Sequence, residues 1–293
     1  MQHRLQTTVQ TLINNNIPVL LEGPSGSGKT TILMTAARNA GMDYSFLSGT
    51  RQTTVSHIIG FMNVNGIYSP SPFRKAYTEG HYFNIDEIDA MDSNVLLIFN
   101  SLENNIMAFP DGYTDPPHKN FRLMATANPQ DQHESYVGRN KLDAATLDRF
   151  DQVAVFRDEN LEKSLVDEVT TEAMGHLRAI LKDVNSSLSI SMRDSMRYYK
   201  RKSLGLLDGF VHKLVRGNEM IYDRFTELVA ANAPDKLHEE CETFDELVSV
   251  MKKHSKKPNV VPGGQHDDFQ EQDSRSKNHD WFEDQTRSYN ETT

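Results

Sequence analysis

The stretch IPVLLEGPSGSGKTTILMTAARNAG, residues 17–41, decides the fold class. A short apolar run, Ile17 to Leu21, meets a glycine-rich turn, and the apolar residues beyond it recur at helical spacing. Between them GPSGSGKT, Gly23 to Thr30, satisfies the G-x-x-x-x-G-K-[ST] pattern of a phosphate-binding loop. Gly23, Gly26 and Gly28 let the backbone curl so that successive N–H groups point inward at a phosphate. A helix starting near Lys29 adds its positive end. Pro24, Ser25 and Ser27 fill the loop, and Thr31 follows it into the helix. The Lys29 ammonium reaches the β and γ phosphates of a nucleotide, and the Thr30 hydroxyl is a magnesium ligand. An ordinary glycine turn is the alternative, and the flanking strand and helix argue against it.

Working outward, four more apolar runs appear: YSFLS (Tyr44–Ser48), HYFNI (His81–Ile85), FRLMATA (Phe121–Ala127) and QVAVF (Gln152–Phe156). Continuous apolar runs mark strands buried on both faces, and helical segments separate them. The pattern predicts an α/β fold over residues 1–157: an αβα sandwich around a five-stranded parallel sheet. Residues 1–17 read as an amphipathic helix with Leu5, Val9 and Leu12 on one face. From 158 to 250 four helical segments form a small all-α lid domain. Residues 251–293 hold few aliphatics and a Pro-Gly-Gly break, and read as a disordered polar tail. Within it Trp281 and Phe282 are a docking motif or incidental aromatics.

Composition narrows the function classes. The 293 residues carry 31 Lys and Arg against 41 Asp and Glu, a net charge of -10. Coating of nucleic acid is dominated by cationic contacts to phosphates, so this balance argues against it and leaves only local contact open. RYYKRK, Arg197 to Lys202, is such a local feature, or else the solvated face of a helix. The tail holds seven Lys and Arg and eight Asp and Glu, so acidity belongs to the first 250 residues. The single cysteine, Cys241, excludes an internal disulfide framework and fits a reducing compartment. No apolar run approaches the ~20 residues of a membrane span, so a soluble, cytoplasmic protein without a membrane partner is expected.

Three further segments offer chemistry. HYFNIDEIDAMD ends a strand on Asp86 and Glu87. The first carboxylate suits a magnesium shell, and the second suits polarising a water that attacks phosphorus. Asp89 and Asp92 read as caps or surface acids of the next helix. FRLMATANP ends on Asn128, where a polar side chain can sit beside the γ phosphate, or where Asn-Pro simply turns the chain. In LDAATLDRFD, Arg149 precedes the last strand; a buried or paired arginine is the alternative.

In this order and spacing, GPSGSGKT, YFNIDE, FRLMATANP and LDAATLDRFD resemble the AAA+ ATPases. The MoxR-type and dynein-related branch, which includes the cobalt chelatase small subunit, is the most similar. FPDGYTDPP, with its Asp-Gly turn, is similar to that branch's hairpin before sensor 1. The resemblance spans about residues 8–215. It implies an ATP-hydrolysing enzyme that uses Mg2+ and assembles with copies of itself, as a hexamer, to remodel a protein or other macromolecular client. Glu87 is then the catalytic glutamate, Asn128 sensor 1, and Arg149 an arginine finger acting in trans on the neighbour's nucleotide. Arg193, in SMRDSMR, falls at sensor 2. Met192 stands where the branch has proline, so Arg197 is the alternative. Gly138 and Arg139 match a second trans-arginine position. Phe61, Met62 and Tyr68 fall at the central-pore insertion, or form a packed loop. A client carrying a von Willebrand factor A-type domain is implied as a separate chain. A small-molecule kinase and a nucleotide-gated scaffold are the rival readings. No Asn-Lys-x-Asp guanine motif is present, which leans towards ATP over GTP.

Overall fold

Among the described residues seven strands form, and five of them are the predicted apolar runs. They are β1 (Val19–Glu22), β2 (Tyr44–Ser48), β3 (Phe61–Met62), β4 (Tyr68–Ser69), β5 (Tyr82–Asp86), β6 (Arg122–Ala127) and β7 (Asp151–Ala154). This computed structural model describes residues 2–104, 106–129, 140–184, 186, 188–204 and 209–231. All of these lie in one compact unit, Met1–Ser255. Cys241, Trp281, Phe282, Gly138, Arg139 and the helical segment FDELVSVMKKH lie outside the described residues, as does the tail.

The main sheet is parallel throughout, in the order β2-β5-β6-β1-β7. The fold is the α/β sandwich that the sequence predicts. Alternate side chains along each strand enter opposite cores. Val19, Leu21, Tyr82 and Met124 pack with Ile32, Leu33 and Ala36 of α2 (Lys29–Asn39) and with Val9 and Ile13 of α1 (Gln6–Asn14). Leu20, Phe83, Ile85, Leu123 and Ala125 pack on the other face with Phe73 and Tyr77 of α4 (Pro72–Glu79), α3 being Val55–Ile59. Burial of both faces explains why β1, β5 and β6 read as unbroken apolar runs, while the edge strands β2 and β7 remain partly exposed. Phe73 centres the second core, with edge-on contacts to Phe83, Phe99 and Phe121 at 5.1, 5.6 and 5.8 Å. Each such pair adds about 0.5–1.5 kcal/mol to the burial itself.

Several details depart from the sequence reading. In α1 the fully buried residues are Gln6, Val9 and Ile13, while Leu5 and Leu12 flank them and are only partly buried. The segment expected as a hairpin at 109–117 is a tight turn without strand pairing: the Gly112 N–H donates to the Phe109 carbonyl at 2.9 Å. Tyr113 and Phe109 instead flank the Arg74 guanidinium, at 3.7 and 4.3 Å from its carbon, which favours packing over ladder formation. The hairpin that does form is β3 with β4. Its apolar residues Phe61, Met62, Val64 and Ile67 are exposed rather than packed.

The helical part has its own core, of Met174, Leu177, Ile180, Tyr198, Val215 and Phe225 among others. Two short helices precede it, α5 (Ser93–Leu96) and α6 (Ala144–Leu147). The first two predicted helical segments each divide. One becomes α7 (Glu159–Leu165) and α8 (Glu168–Asp183), because Asp167 accepts from the Thr170 N–H at 2.8 Å and starts a new helix. The other becomes α9 (Met192–Leu204) and α10 (Phe210–Leu214); α11 is Glu219–Ala231. Buried Glu162 ties them together, accepting from Arg157 at 2.5 Å, from Arg178 at 2.6 Å and from the Ser195 hydroxyl. Burial pushes its carboxyl pKa up, but these hydrogen bonds outweigh that and hold it below the usual range.

Candidate nucleotide-binding site

The carboxyl ends of β1, β5 and β6 lie side by side, and each delivers a predicted residue to one place. Open parallel sheets bind ligands at this edge, where strand ends hand over to loops and helix N-termini. β1 leads into the glycine loop, whose first residue donates its N–H to the Ala127 carbonyl at 3.2 Å. Gly26 and Gly28 have φ of 75° and 98°, the left-handed region that curls the loop onto the start of α2. Gly23 serves differently from the expectation: its need is space, since a Cβ there would fall 2.0 Å from the Val155 carbonyl oxygen.

Lys29 extends back across the loop, its Nζ donating to the carbonyls of Gly23 at 2.5 Å and Pro24 at 3.1 Å. The Asn128 Oδ1 lies 3.5 Å from the same nitrogen. Burial lowers the Lys29 pKa to about 8, against the opposing charges of Asp86, Asp89 and Glu87, and Arg193 lowers it further. Asp89, expected as a cap or surface acid, is in fact buried at 2% exposure and belongs to the field around this lysine. Asp92 does cap a helix, accepting from the Asn94 N–H at 2.8 Å.

Thr30 and Asp86 meet directly: the threonine hydroxyl donates to the Asp86 Oδ1 at 3.1 Å. Among the described residues no group of three His, Cys, Asp or Glu side chains could hold a metal. A pair of hard oxygen donors still fits Mg2+, which takes one or two protein ligands and completes its shell with phosphate oxygens and water.

One residue here was not foreseen. Thr126, buried at 1% exposure, donates its hydroxyl to the Asp86 Oδ1 at 2.5 Å and accepts from the Glu87 backbone N–H at 3.1 Å. Glu87 occupies the left-handed region at φ 57°, a conformation costing a non-glycine residue about 1 kcal/mol or more. A single hydroxyl therefore holds both members of the acidic pair. Its only sequence signal is its place two residues before Asn128, on the strand that leads to that residue. We expect Thr126→Val, which keeps the shape and deletes the hydroxyl, to raise the magnesium concentration for half-maximal hydrolysis and lower kcat about tenfold. Thr126→Ser should restore both. Equal losses in the valine and serine variants, measured in a magnesium titration, would show that the methyl group rather than the hydroxyl matters.

The helical part reaches the loop through the start of α9. Ser191, whose hydroxyl donates to Asp194 at 2.7 Å, occupies the position a Gly26 side chain would need, 2.7 Å from an added Cβ. The Arg193 Cβ is 3.4 Å from the same point, and the buried Met192 packs towards Gly28 beside His3. Arg197, one turn along, pairs with Asp194 at 3.6 Å and is 61% exposed. Thr31 faces solvent on α2, and the Ser27 side chain is buried. Arg149 sits on the turn after α6, where its Nη1 donates to the Ala145 carbonyl at 2.6 Å. The Thr146 N–H and then the Arg149 charge help hold the Asp143 carboxyl below its ordinary pKa.

Residues 18–150 match the family model described as AAA domain (dynein-related subfamily). The chain is 28% identical over 175 residues to Midasin of Giardia intestinalis, covering 56% of this chain and 4% of that protein. Midasin of Dictyostelium discoideum is 28% identical over 153 residues, covering 50% and 2%. An uncharacterized protein of Staphylococcus epidermidis is 27% identical over 168 residues, covering 53% of this chain and 61% of its own. The matched length is thus a small fraction of the Midasins and under two thirds of the bacterial relative. Among solved structures, NtrX from Brucella abortus aligns over 68% of this chain and 49% of its own, with 15% identity and a TM-score of 0.49. No helix of the described residues is long and apolar enough to cross a membrane.

Proposed function

We propose that the chain is an Mg2+-dependent ATP hydrolase that assembles with copies of itself, as a hexameric ring, and turns hydrolysis into remodelling of a macromolecular client. The observation carrying this reading is the convergence of Lys29, Thr30, Asp86 and Asn128 from three strand ends, with Arg193 added from the helical part. Bound magnesium would neutralise charge on the phosphates, with Thr30 and Asp86 as its protein ligands. Lys29 binds the β and γ phosphates in place of the loop carbonyls it now contacts. Glu87 accepts a proton from the attacking water, Asn128 orients that water beside the γ phosphate, and Arg193 touches the same phosphate from the lid, residues 158–250. Arg193 is favoured over Arg197 here by its position on Gly26. Arg149 completes the neighbour's site. Exposed Phe61, Met62, Val64 and Ile67 supply an apolar client contact. The matched Midasins and the resemblance to the MoxR-type branch support a protein client, with a von Willebrand factor A-type domain as the first candidate, in the cytoplasm.

Steady-state hydrolysis of Mg–ATP across a protein concentration series tests this reading. Specific activity should rise with concentration as subunits complete one another's sites. Full activity in a dilute monomer, verified by mass photometry, would refute shared sites, and no hydrolysis at any concentration would favour a scaffold.

A further inference from the structure

A groove of about 780 Å3 opens beside the tip of the phosphate loop, at Ser25, between α9 and α10. Four cations line it, Arg197, Arg201, Lys213 and Arg216, against one carboxylate, Asp194. The run RYYKRK is thereby divided. Tyr198 enters the helical core, and Lys202, 3% exposed, pairs with Asp167 at 2.5 Å. Arg197 and Arg201, one helical turn apart, are left on the groove. Phe210 lies in the same wall, its ring 5.0 Å from the Arg201 guanidinium.

On a chain of net charge -10 this is a local excess of positive charge, four cations against one carboxylate. A concave wall focuses their field, so a multiply charged anion gains more here than on a flat face. A concave groove also admits a narrow chain rather than a protein surface. Guanidinium forks grip phosphate bidentately, and an aromatic ring beside them gives a base a face to stack on. We propose that this groove binds a chain of phosphates, single-stranded nucleic acid or free polyphosphate, at a site that adjoins the phosphate loop at Ser25 but does not use Lys29. The site is independent of the hydrolysis proposed above.

Fluorescence anisotropy of a labelled 20-residue oligothymidine, with the full chain, tests it. Four neutralised phosphates give a salt slope of about -0.7 × 4, so affinity should fall about fifty-fold between 50 and 200 mM salt. The double variant Arg201→Glu with Lys213→Glu should weaken binding at least tenfold at 50 mM salt while unstimulated ATP hydrolysis is unchanged. Lys29→Ala, which disables the phosphate loop, should bind as tightly as the parent. Phe210→Ala distinguishes the sources. Weakened oligothymidine but unaltered inorganic polyphosphate binding points to nucleic acid, and polyphosphate binding with no oligothymidine binding points to the free polymer. The proposal is overturned if neither probe binds, if the double variant binds both as the parent does, if Lys29→Ala abolishes binding, or if polyglutamate alone binds through these residues.

Discussion

Glu87→Gln should bind ATP with the affinity of the parent and hydrolyse it about 10²–10⁴-fold more slowly, the range lost when a positioned general base is removed. Glutamine keeps the length and shape of the side chain but does not accept the proton of an attacking water. The position is built to hold one orientation. Glu87 sits at φ 57° with its backbone N–H on the Thr126 hydroxyl, at the end of a strand whose previous residue contacts Thr30. Because that anchoring is through the backbone, the substitution should leave folding and nucleotide binding intact. A fluorescent ATP analogue measures affinity, and single-turnover chemistry measures the step. Unchanged turnover would remove Glu87 from the mechanism. Phosphate transfer to a small acceptor that survives the substitution would favour the kinase reading.

Arg149→Ala should lower steady-state hydrolysis by about 10³–10⁵, the contribution of an arginine supplied to phosphoryl transfer. Nucleotide affinity should change little. The decisive measurement is complementation. An Arg149→Ala subunit keeps its own Lys29, Asp86 and Glu87, whereas a Glu87→Gln subunit keeps a usable Arg149. If the arginine acts across an interface, mixing the two inactive proteins restores hydrolysis at the sites that pair an intact glutamate with an intact arginine. Absence of recovery, with mixed assemblies demonstrated by native mass spectrometry, would place Arg149 in its own subunit's structure. Its hydrogen bond to Ala145 and its closeness to Asp143 would then belong to that structural role.

Legibility followed the range of the interactions. The glycine loop was readable because its chemistry is local: strand, turn and helix are adjacent in sequence, and each glycine has a stereochemical reason. The three central strands, β1, β5 and β6, were readable because burial on both faces writes itself as an unbroken apolar run, whereas the partly exposed edge strands β2 and β7 showed only short apolar runs. Asp86 and Asn128 were readable as strand-end polar residues, but their approach to Thr30 and Lys29 was not, since strand order is set by crossovers the sequence does not display. Asp89 read as surface because acids usually are. Only its burial beside Lys29 shows otherwise. Thr126 was invisible because a buried threonine on an apolar strand looks like ordinary β-branched filling.

The amino-acid sequence by itself determined the α/β class, the phosphate loop and the acidic strand end, all consequences of local periodicity and backbone sterics. The tertiary structure alone decided three matters, each a contact between residues far apart in the chain. Thr126 holds both Asp86 and Glu87 because β5 and β6 are neighbours in register. Gly23 must be glycine because the Val155 carbonyl lies against it, and Gly26 because Ser191 does. Of the cations in RYYKRK, Arg197 and Arg201 line a groove whereas Lys202 is buried on Asp167, because helix rotation, set by the packing of Tyr198, turns neighbouring residues to opposite environments.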